Sequence, residues 1–238
     1  LVKRFLTDQV THSVDEVNSH VEAMTHSVFE VDGVEAKKKL VQQLASGTGR
    51  RILFMRTKHQ ARKLAKQLTE AGIPSVDLHG NLSQAARDRN LLAFSSGAAR
   101  VLVATDVAAR GVHVDDVQLV VHVDPPAEHK AYLHRSGRTA RAGSAGDVVT
   151  VVLPEQRRDT AVLLRKADIK VTPVRVTSTS PQVAELVGEQ ARYVEPVKVA
   201  PQQQPRQGGS RHGSPRQHAA GGGRRRRPAG PATSQRSR

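Results

Sequence analysis

The chain has 238 residues, with 37 lysines and arginines against 22 acidic residues and a formal net charge of +15. That excess points to a polyanionic partner, nucleic acid ahead of an anionic membrane surface, and the absence of cysteine excludes disulfide scaffolds and thiolate metal sites. Hydrophobic residues are 37% and aromatics 3%, too few for a core running the whole length, so part of the chain is expected to lie outside it.

Residues 1–25 are mixed and polar, without a clear period. Alternation over 25–31 predicts a strand. A helix is expected over 35–44, with Leu40, Val41 and Leu44 on one face and Gly47-Thr48-Gly49 after it. The apolar run 51–55 has the form of a buried parallel strand. A strong helix follows over 58–70, aligning Ala61, Leu64, Ala65 and Leu68 and ending at Gly72. A brief strand at 75–78 leads into His79-Gly80, and Ser83 is placed to cap a helix running to about residue 94. Residues 100–105 and 117–123 read as strands, the second stopped by Pro125-Pro126. A short helix over 128–134, a strand over 147–153 and a helix over 155–166 complete the pattern, with a last short helix near 182–189.

Strands alternating with helices predict an α/β fold with a parallel sheet covered on both faces. In such sheets ligands bind outside the carboxyl ends of the strands. Thr57, His79-Gly80, Thr105-Asp106 and an arginine stretch are all expected on that edge. The stretch is His134-Arg135-Ser136-Gly137-Arg138-Thr139-Ala140-Arg141-Ala142-Gly143, with an arginine at every third position. A guanidinium is a permanent charge with a planar fork of donors, suited to phosphate. Glycines let the backbone turn and bring those forks close to a ligand. A solvated basic turn is the alternative.

Together these loops resemble DEAD-box RNA helicases. Ala104-Thr105-Asp106-Val107-Ala108-Ala109-Arg110-Gly111 is similar to that family's motif V, and the arginine stretch to motif VI. Residues 52–57 resemble motif IV, and His79-Gly80 with Gln84 and Arg87 resembles the intervening Gln-x-x-Arg segment. The likeness covers about residues 26–172 and matches the second of the family's two domains. It implies a three-layer RecA-like domain with a mostly parallel central sheet over 26–175, preceded by the end of the first helicase domain and a linker at 1–25.

By that resemblance, ATP with Mg2+ binds between two domains, and Arg138 and Arg141 act as arginine fingers on the γ-phosphate. His134 and Arg135 would tie motif VI to the first domain, with local packing or solvation as the other reading. Gly111 and His113 would lie at the nucleotide. The family usually has Asp where this chain has His113, and an imidazole can hydrogen-bond a ribose hydroxyl without supplying a charged acceptor. Thr105, Gly80, Gln84, Arg87 and Thr57 would contact the RNA backbone, and for Ser83 and Gln84 a helix cap and its first turn is an equal reading. With so few aromatics to stack on bases, sequence-independent RNA binding is expected.

Two family features are missing from the sequence. There is no Gly-x-x-x-x-Gly-Lys-Ser/Thr phosphate loop and no Asp-Glu-Ala-Asp run. Both belong to the first helicase domain, which is therefore an expected partner, upstream or in another chain. Alone, this chain should not hydrolyse ATP, and a non-enzymatic RNA-binding or regulatory module is the alternative function. His129 and His134 have a spacing that zinc sites sometimes use, but no supporting ligands, so no metal is expected there.

Residues 176–238 form the expected tail, rich in Arg, Gly, Pro and Gln. From residue 201 it holds nine arginines and no acidic residue. Such composition cannot bury a core and is expected to be disordered. Arg224, Arg225, Arg226 and Arg227 suit a non-specific electrostatic RNA tether, a targeting signal or membrane patch being the alternative. No stretch has the apolar length of a membrane span and none has a signal peptide's core, so a cytoplasmic chain without a membrane partner is expected.

Overall fold

The computed structural model describes residues 24–109, 114, 116–140 and 145–196. Seven strands pair in the order β3-β4-β2-β5-β6-β1-β7: β1 Met24–Glu30, β2 Arg50–Phe54, β3 Ser75–Leu78, β4 Val101–Ala104, β5 Val117–His122, β6 Gly146–Val152 and β7 Val174–Arg175. Every pairing in this sheet is parallel. The strands β2, β4, β5 and β6 are apolar runs because both of their faces are covered.

Alternation along each strand sorts the core into two layers. Leu53, Val121, Val149 and Val151 face α1 (Val34–Ala45), α2 (Lys58–Glu70) and α7 (Pro181–Val187), which bury Leu40, Leu44, Leu68 and Val183. Ile52, Phe54, Val120 and Val148 face the other way. There they meet α3 (Gln84–Ser95), α5 (His129–Ser136) and α6 (Arg157–Lys166), which bury Phe94, Tyr132, Leu163 and Leu164. The expected three-layer α/β arrangement is present, with boundaries mostly within two residues of the sequence reading.

Local signals act where they were expected. Ser83 caps α3 by accepting from the Ala86 amide at 3.3 Å. Gly72 closes α2 at φ +80, the left-handed region that only glycine adopts freely. Two elements lie outside the sequence reading: the single-turn helix α4 (Asp106–Ala109) and the two-residue strand β7.

The fold continues past residue 175. Val176, Val183 and Val187 are buried in the first layer. Residues 188–194 then run across the amino-terminal edge of the sheet. Gly47 and Gln190 form an antiparallel bridge, and the Ala191 and Val194 amides donate to the Ser46 and Gly72 carbonyls at 2.8 and 3.0 Å. Beneath this strap lies Arg51, 1% exposed, donating to the Gly49 and Val187 carbonyls at 2.6 and 2.8 Å. A Cβ at Gly47 would sit 2.3 Å from the Val187 carbonyl oxygen, so a larger residue there would push away the backbone at the end of α7, from which the strap starts.

Candidate functional site

Four strand ends supply the site. After β2, Thr57 is exposed and caps α2, its hydroxyl accepting from the Gln60 amide at 3.3 Å. After β3, His79 is held by Asp77 at 2.9 Å, while Gly80 is exposed with open space around its α-carbon. On the first turn of α3, Gln84 donates to Asp88 at 2.7 Å, and Arg87 reaches across to the Ala108 carbonyl at 2.8 Å. After β4, the Thr105 amide donates to the Leu78 carbonyl at 3.1 Å, and the Thr105 carbonyl accepts from the Ala108 and Ala109 amides. Arg87 and Thr105 therefore bind the ends of β3 and β4 into one surface with α3 and α4.

The arginine stretch enters differently from the expectation. It does not sit wholly on the carboxyl edge. Helix α5 starts there, after Pro125-Pro126, and runs back along the sheet towards the strand starts, as a crossover between parallel strands must. Its far end packs at the beginnings of β5 and β6, where the Thr139 hydroxyl donates to the Val117 carbonyl. Gly146 admits this turn, since a Cβ there would meet Thr139 Oγ1 at 2.1 Å. Ala140 takes φ +53, a strained position for a residue with a Cβ.

The side chains nevertheless return to the site. Arg138 folds back along α5, its Nε donating to the His134 carbonyl at 3.2 Å. With exposed His134 it lines a recess of about 350 Å³ that also includes Phe54, Asp106, Glu128 and Arg135. Arg135 is 3% exposed. It grips both Asp106 carboxylate oxygens, one of them at 2.9 Å, donates to the Asp124 carbonyl at 2.7 Å and lies 5.2 Å from the Phe54 ring centroid. The carboxylate of Asp106, from the loop after β4, meets its planar fork.

Beneath α5 lies a buried aromatic group. His122 is fully enclosed, with Tyr132 edge-on at 4.6 Å and Thr150 Oγ1 at 3.3 Å from its Nδ1. Burial holds its pKa well below the usual histidine value, and the nearby Arg135 and His26 charges add to the effect. Burial likewise lowers His26 and pushes the Tyr132 phenol up to about 12. The Tyr132 hydroxyl hydrogen-bonds His26 Nδ1 at 3.0 Å.

Three of the residues expected at the nucleotide, Gly111, His113 and Arg141, lie outside the described residues, as do Arg224 to Arg227. Among the described residues no group of three His, Asp or Glu side chains is placed to hold a metal ion.

This geometry has known counterparts. The pattern described as helicase conserved C-terminal domain matches residues 35–143. A crystal structure of the Escherichia coli DEAD-box protein SrmB, bound to regulator of ribonuclease activity A, is 32% identical. It covers 71% of this chain and 96% of that chain, with a TM-score of 0.59. The chain belongs to the DEAD-box RNA helicases.

It carries their carboxy-terminal, RecA-like helicase domain. The Saccharomyces cerevisiae DEAD-box protein Dbp5, in a variant bound to RNA and ADP BeF3, is 27% identical with a TM-score of 0.64, over 78% of this chain and 51% of that one. The ATP-dependent rRNA helicase RRP3 of Yarrowia lipolytica is 46% identical over 101 residues, which are 42% of this chain. The chain spans about a fifth of that curated relative's length, 21%.

For this DEAD-box domain, Asp124, Phe54 and Lys37 are site residues to which the sequence assigns no role, and Asp106, expected on the carboxyl edge beside Thr105, is given none of its own. Asp124 is the busiest of them: its carboxylate takes Lys37 Nζ at 2.9 Å and the Arg56 amide at 3.1 Å. Asp106 carried a usable signal, standing directly beside Thr105 in motif V. Lys37 carried none, being one of three consecutive lysines on an amphipathic helix.

Proposed function

We propose that this domain supplies one wall of an ATP cleft and an RNA-backbone surface, the other wall coming from a first helicase domain. Arg138, with Arg141, would stabilise charge on the γ-phosphate as it is transferred. Thr57, Gly80, Gln84, Arg87 and Thr105 would hold the RNA backbone without reading bases. Closure on both ligands would strain the strand and separate short duplexes or remodel ribonucleoprotein, and release would follow hydrolysis. Magnesium would travel with the nucleotide and neutralise phosphate charge, its protein ligands coming from the other domain. The observation that carries this reading is that Arg138 shares a recess with Asp106, the neighbour of Thr105.

The test is ATP turnover with RNA when this chain is joined to a first helicase domain that has a phosphate loop. The isolated chain should give none. In the joined protein, Arg138→Ala should lower RNA-stimulated turnover by about 10³-fold or more, and near-normal turnover would remove the reading. RNA binding by the isolated chain without turnover in the joined protein would favour the non-enzymatic module.

The basic tail fits a non-specific RNA tether in the cytoplasm, and among the described residues no helix is long and apolar enough to cross a membrane. Were all its arginines to meet phosphates, the log-log salt slope on single strands would steepen by about six. Deleting residues 201–238 should flatten the slope and weaken binding, and an unchanged slope would refute the tether.

A further inference from the structure

Arg135 stands between the two halves of the site. Its Nε and Nη2 take both oxygens of Asp106, next to Thr105; its Nη1 takes the Asp124 carbonyl; and Phe54 covers one face. Asp124 in turn fixes the Arg56 amide, next to Thr57. The loops after β2, β4 and β5 therefore converge on a single planar cation. On its other side, the Arg135 carbonyl accepts the Arg138 amide at 3.1 Å and the Gly137 amide, so its backbone starts the turn from which Arg138 projects.

We propose that Arg135 and Asp106 are a positioning pair through which RNA engagement at Thr105 sets the placement of Arg138. This rests on the reading above, in which Thr105 meets RNA and Arg138 meets the γ-phosphate.

The physical reason is the lack of slack. All three guanidinium nitrogens are engaged, and one face is covered. Packed, hydrogen-bonded groups of this kind shift between discrete arrangements rather than flexing. A phosphate drawn to the Thr105 turn moves or stiffens the first turn of α4, and Asp106 is the first residue of that turn. A bidentate ion pair carries such a displacement in direction as well as distance, because two parallel bonds fix the orientation of the fork. Lysine would keep the charge and lose the orientation. Arg87, bonded to the Ala108 carbonyl, ties the Gln-x-x-Arg helix to the same turn, so contacts there enter the same junction.

The experiment uses this chain, labelled for NMR and titrated with a single-stranded oligouridylate. In the native chain the oligonucleotide should shift both the Thr105 amide and the Arg138 Nε–H resonance. In Arg135→Lys the Thr105 shift should persist while the Arg138 response falls by about fivefold or more. Asp106→Asn, which keeps shape and removes the charge, should give the same separation from the opposite partner. A purely structural role would disturb core amides such as Val120 and Val148 and would not separate the two reporters.

The outcomes are distinguishable. No shift at Thr105 in the native chain would remove the RNA reading, and the coupling with it. A Thr105 shift without an Arg138 shift in the native chain would overturn the coupling alone, whether or not either variant folds. An Arg138 response of equal size in both folded variants would also overturn it.

Discussion

The two edges of the sheet each bury an arginine, and the two are held in opposite ways. At the carboxyl end, Arg135 meets a carboxylate through two parallel bonds and reaches one carbonyl besides. At the amino end, Arg51 has only carbonyls, and its Nε has no partner among the described residues. Burial and the nearby Arg100 lower its pKa to about 10. The Asp106 carboxylate is 39% exposed, so water can solvate it if the pair is broken from the arginine side. Arg135 has no such outlet. A buried cation with a counter-ion couples two loops, whereas one with carbonyls fastens a strap and caps the last turn of α7, where helix carbonyls lack partners.

The contrast can be broken most forcefully at Asp106. Asp106→Ala strands a buried guanidinium, and the expected loss is about 3 to 4 kcal/mol. Urea denaturation should show a lower midpoint at unchanged slope. A loss below about 1 kcal/mol would mean that the Asp124 carbonyl and Phe54 suffice to hold the cation.

Acid tests the same region from beneath. His122 lies below Arg135 with its pKa depressed, and His26 has the same sign. The folded chain therefore binds fewer protons than the unfolded chain. Stability is complete above the ordinary histidine pKa and is lost as pH falls below about 6.5, at a slope approaching 1.4 kcal/mol per unit for each such histidine. Melting temperatures from pH 7.5 to 5 should fall accordingly, and His122→Gln should make the decline shallower. An identical decline in that variant would place the acid-sensitive group elsewhere.

The smallest effect is expected at the amino edge. Arg51→Met leaves two carbonyls short of a donor but removes a desolvated charge without a counter-ion, so its net cost should stay within about 1 kcal/mol. A cost exceeding that of Asp106→Ala would invert the comparison.

These differences mark what a linear sequence can convey. The strand 101–104 and the helix 58–70 were legible because periodicity and capping are local. Motif V and motif VI were legible because their residues are contiguous. Which guanidinium turns inward was not. Arg135 is in the last turn of α5 and Arg138 follows just past its end, three residues on, a spacing that by itself favours neither, and the choice is made by Asp106, brought in from another loop. The strap at 188–194 was obscure for a related reason. Its hydrogen bonds are made mainly by backbone groups of Ser46, Thr48 and Gly72, joined by the Arg100 side chain at the Arg192 carbonyl, and no side-chain pattern announces them. The course of α5 away from the carboxyl edge follows from crossover geometry, which fixes direction only once the neighbouring strands are known.

The position of β1 bears on how the chain is made. In the sheet it lies between β6 and β7, with Met24 opposite Gly146 and Phe29 opposite Val174. Both neighbours leave the ribosome long after it does. At about 5 to 20 residues per second, on the order of ten seconds separates β1 from its first partner. During that interval Val28 and Phe29 have no sheet to enter. The final registration of this domain is thus a late event in synthesis, and nascent chains paused before residue 146 should be the ones that chaperones hold.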